Sequence, residues 1–233
     1  MATSLPANVH VSTHPCLAGK LSQLRSSSTN ARDFRTLVHD IATILGCEAL
    51  AQNLTVVEKG TDTSPLGYTY ATKTTSPAQI ALVPILRSGL SMQTAIEALL
   101  PTQPTVHHLG MYREKTTLQP VEYYNNLPYH SASATTAGGT AKPVPDLAIV
   151  IDPIIATGST VCAAIDTLRD WGVPRILTLS VLGSVEGVAR AAATWPEGVE
   201  MWVGGVDAET DERGMIVPGL GDCGDRLYLT VGK

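Results

Sequence analysis

The chain has 233 residues, 44% of them hydrophobic, a net charge of −5 and a pI near 5.6. That length and apolar content suit one globular α/β domain with appendages, and no apolar run is long enough to span a bilayer. The acidic balance argues against a nucleic-acid surface, which needs clustered Lys and Arg. Cys16, Cys47, Cys162 and Cys223 form neither a Cys-x-x-Cys pair nor a partnered His motif. Zinc is therefore disfavoured, and a reducing, cytoplasmic setting is the simpler expectation. No cationic signal segment with a cleavable apolar core opens the sequence, which fits that expectation.

Residues 1–15 are mixed and polar and read as an N-terminal arm, loose or ordered on contact. Residues 16–233 then read as one domain. Phe34, Leu37, Val38, Ile41, Ile44 and Leu45 recur at helical spacing behind Ser28 and Thr29, two candidate N-caps. They predict a packing helix, with Arg25 and Arg35 open to an interface role. Three later segments repeat strand, turn and helix. Ile80 to Ile85 precedes Arg87-Ser88-Gly89 and a helical pattern to Leu100. Leu147 to Ile151 precedes a Thr/Gly/Ser loop and a helix marked by Val161, Ile165, Leu168 and Trp171. Ile176 to Leu182 precedes a short helix over Val185 to Ala193, and Met201 to Val206 reads as a further strand. Such alternation predicts a parallel sheet with right-handed crossovers, its active face at the strand ends after Ile85, Ile151 and Val206. Residues 111–128 read as a hairpin arm turning near Leu118-Gln-Pro120, and residues 129–145, poor in apolar bulk, as a flexible insertion.

The most informative stretch is Leu147 to Thr160. An apolar strand ends in Asp152, and the following Ala156-Thr157-Gly158-Ser159-Thr160 offers backbone N–H groups and hydroxyls at the start of a helix. Ligands of open α/β sheets bind at such strand ends, and a helix N-terminus favours phosphate. A ribose-phosphate cradle is the direct reading, with phosphate on the loop and sugar hydroxyls on Asp152. Ser and Thr are also ordinary N-caps, so a plain capped turn is the competing one. No Gly-Lys-Ser/Thr follows at Walker A spacing, which disfavours a nucleoside triphosphatase.

Four blocks together resemble the uracil phosphoribosyltransferases, the pyrimidine-salvage branch of the type I phosphoribosyltransferase family. They are Val83 to Leu90, Tyr112-Arg113 through Pro128, Asp152 to Thr160, and Asp211 to Arg226. Lys20 to Arg25 and Phe34-Arg35 extend the resemblance, which runs from about His14 across nearly the whole chain. It implies a type I phosphoribosyltransferase-like parallel sheet flanked by helices, with a β-hairpin arm and a C-terminal base-binding hood over residues 207–233. The implied activity is glycosyl (pentosyl) transfer from phosphoribosyl diphosphate (PRPP) to uracil, giving UMP and diphosphate, with Mg²⁺ carried by PRPP.

The resemblance also assigns residues. Arg87 and Arg113 match the family's PRPP-contacting arginines, whose planar forks suit diphosphate oxygens. Asp152, Pro153, Ile154, Ile155, Ala156, Thr157, Gly158, Ser159 and Thr160 match the PRPP loop. Asp222 is the candidate for a double role, toward PRPP and toward the base. Ile216, Gly221, Asp222 and Cys223 match the uracil segment, where backbone groups would read the ring edge. Cytosine presents the reversed donor and acceptor, at a cost of about 1–3 kcal/mol per buried mismatch. A non-proline cis peptide is implied at or next to Leu86–Arg87. Asp225 reads as structural, paired locally with Arg226 or backbone.

Lys115, Asn126, Ser159-Thr160 and Cys223 depart from common family residues without removing a required donor. The resemblance further implies a homodimer or higher homo-oligomer, with Tyr123 and Tyr124 of the arm as interface candidates, and GTP as an activator in part of the family. Nucleic-acid and membrane partners are not expected. The alternatives are a pyrimidine-nucleotide-responsive RNA-binding regulator on the same fold, or a phosphoribosyltransferase for another base. Orotate would need a basic partner, and only Arg213 and Arg226 lie near the base segment.

Overall fold

A computed structural model describes residues 4–114, 119–128 and 144–230. The chain runs through β1 (Val9–Val11), α1 (Pro15–Arg25), α2 (Ala31–Asn53), β2 (Thr55–Thr63), β3 (Thr69–Ser76), β4 (Ile80–Leu86) and α3 (Leu90–Glu97). Next come β5 (Thr105–Val106), β6 (Leu109–Arg113), β7 (Pro120–Asn125), β8 (Leu147–Ile151), β9 (Ile154–Ile155) and α4 (Ser159–Asp170). The last third holds β10 (Ile176–Ser180), β11 (Leu182–Ser184), α5 (Val185–Thr194), β12 (Val199–Val203), β13 (Val206–Asp207), β14 (Glu209–Thr210), β15 (Ile216–Val217) and α6 (Cys223–Tyr228).

The main sheet has the order β1-β12-β10-β8-β4-β6-β7, with β5 also on β4, and only the β6–β7 pairing is antiparallel. Its central strands are buried on both faces, which is why they read as continuous apolar runs. Alternate residues then sort into two cores. Leu82, Ile149, Ile151, Leu177 and Leu179 pack with α1, α2, α3 and α6, whereas Ala81, Val83, Ala148, Val150 and Met201 pack with α4 and α5. Period-two alternation in the strands thus becomes a three-layer sandwich.

Within the N-terminal arm expected over residues 1–15, the described part is ordered by contact with the sheet. Val9–Val11 add a parallel edge strand to β12, and Asn8 Nδ2 donates to the carbonyls of Ala192 and Val199 at 3.1 and 2.9 Å. The edge of β12 leaves unpaired backbone groups, and this short segment satisfies them. The long helix starts after Asn30 rather than Ser28 or Thr29, because the Asn30 side chain accepts from Asp33 N–H at 3.0 Å. The 111–128 hairpin forms as β6 and β7, with its turn at 115–118 outside the described residues. The insertion expected over 129–145 lies mostly outside them too. A second hairpin, β2–β3, has every residue of β2 exposed. No described helix is long and apolar enough to cross a membrane.

Candidate active site

β4 and β8 are neighbours in register, with Pro84 opposite Ile151. The turns that follow them therefore open side by side at the carboxyl edge of the sheet. The chain leaves β4 through a cis Leu86–Arg87 peptide, at the position the resemblance implied. Asp152 leaves β8, buried, with Ser88 Oγ donating to its Oδ1 at 2.9 Å. Burial pushes the Asp152 carboxyl up to about 7, partly countered by hydrogen bonds from Ser88 and the Ile154 N–H.

The cradle is held from beneath. β9 pairs with β11, and the chain turns through Gly158 at φ 79° into α4. Ser184, the N-cap of α5, donates from Oγ to the Ala156 carbonyl at 2.6 Å and accepts from Gly187 N–H at 2.9 Å. An added Cβ on Gly187 would collide with the Ala156 carbonyl, and one on Gly158 with the Gly187 carbonyl. Thr157 and Ser159 share a hydroxyl hydrogen bond of 3.0 Å, and Arg190 Nη1 donates to Ser159 Oγ at 3.3 Å. Gly158→Ala and Gly187→Ala are each expected to cost about 1–3 kcal/mol, read from urea unfolding, because neither neighbour is a flexible side-chain end.

The facing wall comes from the C-terminal segment. Asp222 caps α6, its Oδ1 accepting from Asp225 N–H at 2.9 Å. Asp222 thus caps a helix and borders the site as well. A cavity of about 240 Å³ lies between Ser88, Asp152, Ile154, Ile155, Ala156, Thr157, Gly158, Thr160 and Val161 on one side and Met215, Gly221, Asp222, Cys223 and Gly224 on the other. Two sequence blocks far apart along the chain thus share one volume. Burial pushes the Cys223 thiol well up, with the nearby Asp152 and Asp222 charges adding to it, so the sulfur stays neutral and is no nucleophile.

Other expected residues stand outside that lining. Pro153 is scaffold, its carbonyl accepting from the N–H groups of Val181 and Leu182 at 3.0 Å. Ser159 is buried and turned to Thr157 and Arg190. Ile216 lines an adjoining recess of about 20 Å³ with Leu182 and Leu220. Arg87 is exposed, its guanidinium 5.4 Å from the Tyr228 ring centroid and its Nη2 3.8 Å from where a Gly224 Cβ would sit. Tyr228 Oη donates to the Arg87 carbonyl at 3.0 Å. Arg113 ends β6, and its side chain lies outside the described residues.

Three basic residues hydrogen-bond within the chain. Arg25 is not free for an interface: it grips buried Asp207 through Nη1 and Nη2, both at 2.7 Å, and donates to the Gly219 carbonyl at 2.8 Å. Arg35 Nη2 donates to the Leu227 carbonyl at 2.8 Å. Arg226 turns away from Asp225. Its fork spans the carbonyls of Leu24 and Leu220 at 2.8 Å and Ser26 at 2.7 Å, over the Phe34 ring at 4.2 Å. Asp225 instead accepts from Thr230 Oγ1 at 2.8 Å. With Arg226 on backbone carbonyls and Arg213 on Asp211, neither offers a carboxylate partner for orotate.

No local pattern announces the Arg25–Asp207 pair, whose members lie 182 positions apart. Ser184 carried a usable signal as an N-cap residue before a helical pattern. Among the described residues no cluster of three or more His, Cys, Asp or Glu could hold a metal ion.

A uracil phosphoribosyltransferase family model matches residues 11–230. Uracil phosphoribosyltransferase of Listeria monocytogenes is 38% identical over 224 residues, 96% of this chain and 99% of that protein. The Roseiflexus castenholzii enzyme of the same name is 40% identical over 222 residues, covering 95% and 98%. In shape the chain resembles the AQ2163 protein from Aquifex aeolicus, with a TM-score of 0.83, 28% identity and coverage of 95% and 98%. Sheet order, cradle, facing C-terminal wall and these matches agree, and the chain belongs to the uracil phosphoribosyltransferase family of pentosyl-transferring enzymes.

Proposed function

We propose that the protein transfers the phosphoribosyl group of PRPP to uracil, yielding UMP and diphosphate as a step of pyrimidine salvage. The observation that carries this is the shared cavity, which sets the Ala156–Thr160 loop and Asp152 against Gly221, Asp222 and Cys223. The 5′-phosphate sits on the loop N–H groups and the hydroxyls of Thr157 and Thr160, with a ribose hydroxyl on Asp152. Arg87 and Arg113 hold the diphosphate. The anomeric C–O bond breaks with its electron pair on the departing diphosphate, the C–N1 bond forms, and the uracil N1 proton leaves, with Asp222 or its water as acceptor. Positive charge builds on the ribose ring, so fixed negative and hydrogen-bonding groups around it lower the barrier.

Uracil is read by backbone groups of Ile216, Gly221 and Cys223 with Asp222. Mg²⁺ enters as part of the PRPP substrate. The enzyme works in the cytoplasm, a setting that suits its four unpaired cysteines. Exposed Tyr112, Tyr123 and Tyr124 on the β6–β7 hairpin give a second copy an aromatic surface. A homodimer is expected by sedimentation, with GTP tested as an activator in the same preparation.

The deciding assay follows diphosphate release from Mg–PRPP with uracil, cytosine, orotate, hypoxanthine or no base. Release with uracil alone, lowered at least about 10²-fold in Arg87→Ala and Asp222→Ala, supports the reading. Release with another base removes the account of residues 216–223. No release with any base, with or without GTP, shifts the weight to the regulator, which RNA binding across salt concentrations would then detect.

A further inference from the structure

We propose that Ser88 is a positioning residue for PRPP capture: its hydroxyl fixes the Asp152 carboxylate so that the second oxygen faces the ribose hydroxyls. This rests on the function proposed above and deepens it. Ser88 is itself pinned, since its carbonyl accepts from Ser91 N–H at 3.0 Å and from Ser91 Oγ at 2.7 Å. Gly89 behind it lies hard against the Ile85 backbone and the Ile151 carbonyl, with no room for a Cβ. The turn after β4 is therefore clamped onto the end of β8. Ser88 Oγ hydrogen-bonds across to that strand end, donating to Asp152 Oδ1 at 2.9 Å on the cavity wall.

The contact has a second consequence. A hydroxyl that donates to a carboxylate favours the ionised form, and a buried carboxylate needs that help. Among the described residues, the titratable groups that share the cavity with Asp152 are Asp222 and Cys223 on the C-terminal wall, while Arg87 on the β4 turn is exposed beside the Tyr228 ring. The cradle contributes only hydroxyls and N–H groups, with Arg190 behind Ser159. Burial is the influence that opposes ionisation of Asp152, and the Ser88 hydroxyl is the neutral donor that acts against it alongside the Ile154 N–H. An ionised Asp152 accepts ribose hydroxyls best, and PRPP capture then strengthens as pH rises through neutrality.

The test is calorimetric Mg–PRPP binding without any base, from pH 5.5 to 9, for wild type, Ser88→Ala and Ser88→Thr. Ser88→Ala should weaken PRPP binding about 3- to 10-fold at pH 7, move the midpoint of its pH dependence up by about one unit, and leave a smaller loss of about 2-fold at pH 9, where only the orientation of the carboxylate is missing. Ser88→Thr should restore the midpoint, and the KM for uracil should hold in both variants. An unmoved midpoint in Ser88→Ala overturns the proposal. So does a loss of equal size at every pH, accompanied by a lowered Tm, which marks a merely structural role. Because this readout needs no base, it stands apart from the base-dependent assay: wild type that binds PRPP yet uses no uracil removes the function and leaves the Ser88 result readable.

Discussion

Arg25→Ala is expected to cost about 3–5 kcal/mol of stability, with a larger rise in the KM for uracil than for PRPP. The guanidinium meets both oxygens of Asp207, which is buried, and the same carboxylate accepts from Gly219 N–H at 2.9 Å. Removing the cation leaves a carboxylate charge without its partner next to the loop that leads to Gly221 and Asp222. Burial by itself would raise the Asp207 carboxyl. The hydrogen bonds from Arg25 and Gly219 and the Arg25 charge outweigh burial and hold it below the ordinary range. A depressed folded value means that this stabilisation is present above the ordinary carboxylate pKa and fades as pH falls through the folded one. The double variant Arg25→Ala/Asp207→Ala should recover part of the loss, since it removes the stranded charge together with its partner. Urea unfolding of the two single variants and the double one gives the coupling directly; additive losses would mean that the two side chains do not act as a pair.

Asp152→Asn should raise stability at pH 8 and lower PRPP binding. Asp152 carries its proton up to about pH 7 in the folded protein, against an ordinary value of 3.8. Below pH 3.8 both folded and unfolded chains hold that proton, and no cost arises. Between the two values the unfolded chain releases a proton that the folded chain retains, so stability falls with rising pH. Above about 7 the full difference is in place, about 4 kcal/mol from a shift of some three pH units. Asparagine does not titrate, so the stability of Asp152→Asn relative to wild type should climb by about that amount between pH 4 and pH 8. A flat difference in urea unfolding across that range would mean that Asp152 ionises like an exposed carboxylate. Asp207 acts in the opposite direction and at lower pH, so the two effects separate along the pH axis.

A gain in stability with a loss of binding is the pattern of a group retained for its chemistry rather than for the fold. The same trade is visible around Asp152. Apolar strand residues bury it, and a neighbouring hydroxyl keeps it usable.

The central strands were legible because a strand buried on both faces must be apolar throughout, and Leu147–Ile151 has the predicted bounds in the structure. The cradle was legible for a related reason: a loop that meets phosphate through its backbone is local, and Ala156 to Thr160 carry the whole signal within a few positions. Some features were beyond local pattern. The β2–β3 hairpin is exposed along all of β2, so it has no buried face and writes no apolar alternation. The edge strand Val9–Val11 is too short to show a period, and the partner that makes it a strand is β12, nearly the whole chain away.

The chemistry available is written locally along the chain: two arginines at strand ends, one carboxylate before a hydroxyl loop, and a glycine-bounded Asp222-Cys223 segment, each set by neighbours within a few residues. How they are used follows from folding. Packing of helices on both faces of the sheet brings residue 152 beside residue 88 and opposite residue 222. It buries Asp152 enough to move its proton toward neutrality, and it turns Arg25 and Arg226 from available cations into struts under the base segment. Hydrogen-bond geometry and desolvation depend on which groups meet in space, and a linear order of residues fixes neither until the core has closed.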